Sequence, residues 1–164
     1  MACKQPPNDV VHVKGFFRLN IMSADDPTVV VGDSGWCQNQ ITNLGYNNFI
    51  CGAMGQLTGS SNVGYMSLGS GGTVAAVDTT LGGEIGNAKR QAVTAASSST
   101  SKAAVFTATF SSSNSFLAGS SNLSNMGLFA NTSSGATMCA GNTYASSACA
   151  TNQNVNCTYT ISFT

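Results

Sequence analysis

The chain has 164 residues, a length at which one globular unit buries roughly 70% of its unfolded surface and a two-domain enzyme is not expected. Charged residues make up 7% of it against the ~25% usual in globular proteins, six cations balance six anions, and 22 Ser, 17 Thr and 16 Asn stand beside 18 Gly. Only Lys89 and Arg90 stand together as cations and apolar runs stop at three or four residues, which excludes the basic footprint of a nucleic-acid binder and a membrane-spanning helix of ~20 residues.

Residues 1–9, MACKQPPND, read as an extended arm, because Pro6 and Pro7 favour an open backbone; residues 10–164 read as one domain. The arm lacks the apolar stretch of a signal peptide, so the expectation is a protein made in a cytoplasm. From 10 to 22 the sequence alternates, with Val11, Val13, Gly15, Phe17, Leu19 and Ile21 on one face and His12, Lys14, Arg18 and Asn20 on the other, predicting a half-buried strand. The turn signal Asp25-Asp26-Pro27 leads into Thr28–Val31, which ends at Gly32-Asp33, and the two segments predict a hairpin. Tyr46, Phe49, Ile50, Ala53, Met54 and Leu57 then recur at helical spacing, with Thr42 or Asn43 placed to cap the start and Gly59 beyond the end.

Beyond residue 63 the pattern is of strands between Gly/Ser/Thr/Asn turns: 63–69, 84–95, 101–111, 123–130, 136–145 and 155–163. In 101–111, Ala104, Phe106, Ala108 and Phe110 are expected inward, with the serine-rich stretches 97–101 and 111–115 as hairpin ends. In the last segment Val155, Cys157, Tyr159, Ile161 and Phe163 alternate with polar residues, placing Cys157 on a core face. The fold class is therefore all-β, a β-sandwich or jelly-roll-like pair of antiparallel sheets with one short packed helix at about 43–57.

Few residues are suited to chemistry. Acid–base or nucleophilic catalysis needs a base oriented by a third group, yet the single His12 alternates outward beside Lys14. Asp9, Asp25, Asp26, Asp33 and Asp78 fall in turns or the arm, where Asp serves the backbone; Glu84 is the exception. The glycines of LGSGG at 68–72 are followed by no Lys and no helix, so they predict a hairpin turn needing positive φ rather than a phosphate cradle. No enzyme activity, cofactor or metal is expected. Cys3, Cys37, Cys51, Cys139, Cys149 and Cys157 show no zinc spacing; they read as buried free thiols, or as disulfides of open pairing formed after the protein leaves the cytoplasm. A polar sheet protein with an arm is expected to work by occupying a position, with Cys3, Lys4, Pro6, Pro7, His12 and Lys14 as the candidate partner contacts.

The order ITNLGYNNFI at 41–50, VGYMSLGSGGTVAAVDTTLGGEI at 63–85, Lys89 and Arg90, VFTATF at 105–110, MGLFANTSSGATM at 126–138 and CTYTISFT at 157–164 resembles a family of small virion proteins of tailed phages. The likeness spans about 38–164 and rests on the order and spacing of these motifs together. It implies a non-enzymatic virion structural protein, in the first place a capsid decoration or cement subunit bound to the major capsid protein or other virion subunits, with self-contact or homo-oligomerisation. The alternatives are a tail-fibre or tail-tip module contacting the host surface and, behind it, a pilus-like or secreted adhesin. The six cysteines, the scarcity of charge and the N-terminal extension depart from the family pattern. No nucleic acid or membrane is implied as a partner.

Overall fold

A computed structural model describes residues 12–55, 61–85, 90–98, 100, 102–132 and 138–164. The arm expected at 1–9, together with Val11, Leu57, Gly59 and Lys89, lies outside the described residues.

The predicted alternation forms strand β1 (Val13–Met22), in which Gly15, Phe17, Leu19 and Ile21 are buried and Lys14 is exposed. Two short strands, β2 (Val30–Asp33) and β3 (Cys37–Gln38), line one side of β1. On its other side β1 pairs with β11 (Val155–Phe163) from Val13 opposite Phe163 to Ile21 opposite Val155. β11 in turn pairs with β8 (Ala103–Phe110), and β8 with β7 (Thr94–Ser98). The second sheet runs β4 (Gln40–Ile41), β10 (Met138–Cys149), β9 (Ser121–Phe129), β5 (Tyr65–Gly69), β6 (Gln91–Ala92). All of these pairings are antiparallel.

The facing sides share one apolar core, with Phe17, Leu19, Ile21, Tyr159 and Ile161 from the first sheet against Met66, Leu68, Met126, Leu128 and Ala140 from the second. Phe17 stacks on Tyr159 within its own sheet, ring centroids 6.0 Å apart, and meets Tyr144 of β10 across the core at 5.6 Å. Such burial, at roughly 25 cal/mol per Å² of apolar surface, is what holds a chain with so few ion pairs. The chain is an all-β sandwich.

The helix departs from the expected stripe. Residues 45–51 form a π-helical segment (Gly45–Cys51), in which the Gly52 amide donates to the Asn47 carbonyl, and one α-helical turn, α1 (Gly52–Gly55), follows. The wider i→i+5 turn carries Tyr46 off the buried face: Phe49 is buried, Ile50 half-buried and Tyr46 42% exposed. Thr42 caps the start as expected. Its hydroxyl accepts the Gly45 amide at 3.0 Å and lies 2.7 Å from the Met138 carbonyl, so the cap also ties the helix to β10.

Other elements are corrected by their packing. The hairpin strand forms at Val30–Asp33 rather than Thr28–Val31, with a register shift beside Ile21 and Met22. The strand expected over 84–95 is broken: Glu84 makes one bridge to Gly69, β6 joins the second sheet, and after Val93 the chain crosses to the first sheet as β7. Of the serine-rich stretch 97–101, Ser97 and Ser98 pair with Ala104 and Ala103 in the β7–β8 hairpin while Ser99 and Ser101 lie outside the described residues, whereas Ser111–Ser115 carries the chain between sheets through a 3₁₀ turn. Phe116 beyond it packs on Phe110 at 5.7 Å.

LGSGG is not a tight turn. It opens a long connection, described over 70–85, that lies on the outer face of the second sheet, where Val74 and Leu81 pack with Phe129 and Met138 in a second small core. Ser124 Oγ donates to the Gly71 carbonyl and Asn125 Nδ2 to the Gly82 carbonyl, each at 2.9 Å. A Cβ on Gly71 would run into the Gly82 carbonyl, so the glycine is needed for close approach of two backbone segments; the positive φ, 60°, belongs to Gly83. Glu84 closes the connection. Its carboxylate accepts both Nε (2.5 Å) and Nη2 (2.8 Å) of Arg90, whose guanidinium lies 3.6 Å from the Phe129 ring centroid and donates to the Asn131 carbonyl at 2.9 Å. Removing one partner of a buried pair strands the other charge. Glu84→Ala is therefore expected to lower unfolding stability by ~3 kcal/mol in urea titrations, with Glu84→Ala/Arg90→Met recovering part of the loss. An unchanged Glu84→Ala midpoint would refute the anchor.

Candidate interaction surface

Of the acidic residues expected in turns or the arm, Asp26, Asp33 and Asp78 serve the backbone through their side chains, and Asp9 lies outside the described residues. Asp26 accepts the Thr28 amide at 2.8 Å and Asp78 accepts the Ala75 amide at 2.7 Å. Asp33 takes Arg18 Nε at 3.0 Å, Arg18 Nη2 at 2.5 Å and the Gly35 amide at 2.9 Å. With Gly35 at φ 66°, this fixes the turn between β2 and β3 and pins both strands to the edge of β1. The Arg18 hydrogen bond, followed by the Gly35 amide, holds the Asp33 carboxyl down to about 2.

Of the predicted contact residues, His12 and Lys14 are exposed at the start of β1, where the His12 backbone exchanges hydrogen bonds of 2.8 and 2.9 Å with Thr164. Cys3, Lys4, Pro6 and Pro7 lie outside the described residues. The exposed apolar side chains on the β2/β3 edge are others. Val29, Val30 and Val31 leave half their surface in water, and Trp36, in the turn pinned by Asp33, is 56% exposed. Exposed aliphatic and aromatic residues grouped on one edge mark an interaction surface more strongly than scattered ones do. The sequence signal for this patch is three consecutive valines, a run that strict alternation cannot bury, followed by the lone tryptophan in a Gly/Ser/Asp turn.

A second apolar feature is a cavity of about 290 Å³ between the π-helical segment and the first sheet, lined by Phe49, Ile50, Val63, Phe106, Ile161 and Phe163 among others. Ala104 and Phe106, expected inward, are only half-buried, and both line this cavity.

Cys37, Cys51, Cys139, Cys149 and Cys157 are free thiols. Cys139, Cys149 and Cys157 are buried, and burial pushes the Cys139 thiol up to about 12 and that of Cys149 to about 11. Cys157, on the core face as expected, is also pushed up. Cys51 is exposed.

Two outcomes follow. Alkylation of the folded protein at neutral pH should label Cys51 and leave Cys139, Cys149 and Cys157 at least tenfold slower by peptide mass spectrometry, since thiolates are the reactive form; equal labelling would contradict their burial. Because the folded Asp33 carboxyl titrates below its ordinary value, the pin is complete above the usual carboxylate range and is lost as pH falls through about 2. Fluorescence of the single Trp36 should change with a midpoint near 2, and Asp33→Asn should abolish that transition while far-UV dichroism stays native.

Comparison of the chain with protein-family models, with curated proteins and with solved structures gives no match.

Proposed function

We propose that this chain is a non-enzymatic structural protein of a tailed-phage virion, a decoration or cement subunit that binds neighbouring capsid subunits on the outside of the head. The observation that carries the reading is the apolar edge formed by Val29, Val30, Val31 and Trp36 on a protein of zero net charge. Ionisable side chains hold structure elsewhere: Arg18 with Asp33, Arg90 with Glu84, Asp26 and Asp78 in turns. A subunit that binds only the assembled shell stabilises it by mass action, and each tenfold in affinity adds ~1.4 kcal/mol per contact site.

Exposure of Trp36 also favours a second reading, a tail-fibre or tail-tip module whose aromatic face meets the host surface. Copy number separates the two. Quantitative mass spectrometry of washed particles should find hundreds of copies for a decoration subunit and at most a few dozen for a tail component; absence from washed particles refutes both. Particles lacking the protein should adsorb normally yet burst on heating. Val30→Ser/Val31→Ser/Trp36→Ser, at exposed positions, should fold normally and lower occupancy at least tenfold.

A further inference from the structure

The first sheet ends on one side at β7, and among the described residues nothing pairs with its outer edge. Its register with β8 is unbroken, from Thr94 opposite Thr107 to Ser98 opposite Ala103. Thr94, Ala95, Ala96 and Ser97 are all exposed, so side chains on both faces of the strand stand open. An open regular edge presents a row of backbone donors and acceptors, and folded proteins blunt such edges with charge, proline, a bulge or brevity.

The other edges carry those devices. β2 has the register shift beside Ile21 and Met22 and the Arg18–Asp33 pair at its end, while β4 and β6 are each two residues long. β7 has five residues, Thr-Ala-Ala-Ser-Ser, with no charge and no proline. That sequence is suited to a copy of itself. In an antiparallel pairing centred on Ala96, Thr94 lies opposite Ser98 of the partner subunit, Ala95 opposite Ser97 of the partner subunit, and Ala96 opposite Ala96 of the partner subunit. No bulky side chain obstructs the approach, and a chain without net charge sets up no repulsion.

We infer that β7 is the edge through which two copies of this chain pair about a two-fold axis, joining their first sheets into one continuous sheet. The interface is isologous, the form expected of a symmetric dimer. An antiparallel pairing keeps the inner faces of both copies on the same side. Ala95 is opposite Phe106 and Ser97 opposite Ala104, and Phe106 and Ala104 line the apolar cavity, so both cavities open on that common face. The inference rests on the reading of this protein as an assembly subunit and names one of its partners as itself.

Sedimentation velocity of the full chain over micromolar to sub-millimolar concentrations tests it. Wild type should dimerise. Ala96→Lys and Ala96→Asp each place like charges directly opposite across the axis and should weaken the dimer at least tenfold, while an equimolar mixture of the two restores a heterodimer. Far-UV dichroism and melting of each variant should match wild type, and the amides of 94–98 should exchange slowly in wild type and fast in Ala96→Lys. A wild-type monomer at every concentration overturns the pairing, as does a dimer unaffected by Ala96→Lys, or an edge protected only when a foreign protein is added. Washed particles test the virion role separately: a monomer found on particles refutes the pairing alone, whereas a dimer absent from particles supports the pairing and refutes the virion role.

Discussion

The bidentate pairing of Arg90 with Glu84 over the ring of Phe129 holds the 70–85 connection on the second sheet. A chain with six cations and six anions has placed one of each in its interior, where the Arg90 side chain is fully covered and that of Glu84 is 10% exposed. Desolvating two charges costs several kcal/mol per ion, and an apolar pair of the same shape would stabilise as well or better. What an apolar pair would not supply is direction. Guanidinium and carboxylate meet in a fixed plane, and the Phe129 face fixes where that plane lies. Glu84 is thereby set opposite Gly69, and Val74 and Leu81 fall on Phe129 and Met138 rather than on other apolar positions of the same face.

Elements whose periodicity comes from a single buried face are legible in the sequence. β1 and β11 alternate because one side of each meets the core and the other meets water, so alternation alone assigns Phe17, Leu19, Cys157 and Tyr159 to the interior. β5 and β9 can be located from the sequence but not oriented. They are covered on both faces, the inner one by the opposite sheet and the outer one by the 70–85 connection, so Met126, Leu128 and Phe129 form a buried run without alternation. The helical stripe places the helix but misfaces Tyr46, because the i→i+5 turn has no signature in a 3.6-residue period. The glycines of 68–72 are legible as backbone constraints, but the partner, Gly82 eleven residues beyond Gly71, is a tertiary fact. Arg90 gives no local signal of its burial, and the Val29–Val31 and Trp36 patch is visible only as a run that no strand could hide.

The segments 63–85 and 126–138 place several of their residues on or beside that covered face. Tyr65, Gly71, Leu81, Glu84, Phe129 and Met138 sit in or beside the second small core, and each is explained by packing, close approach or the buried pair. Their order along the chain describes how a long connection is fastened to a sheet. Such a motif set carries information about architecture, and it leaves function to the surfaces that the motifs do not occupy.

The sequence treats the two edges of the first sheet differently. β2 is bulged, ended by an ion pair and flanked by bulky apolar side chains, which suppresses strand addition while leaving an apolar patch for a shaped partner. β7 is regular, small and neutral, which suppresses nothing. A soluble monomer with so little charge would be at risk from such an edge, since neither electrostatic repulsion nor a local device opposes pairing. In the subunit role proposed above the same edge would serve assembly: small side chains let backbones approach, and neutrality removes any ionic penalty for bringing identical chains together. The scarcity of charge and the unprotected edge thus act in the same direction, since both lower the barrier to bringing a second strand against β7.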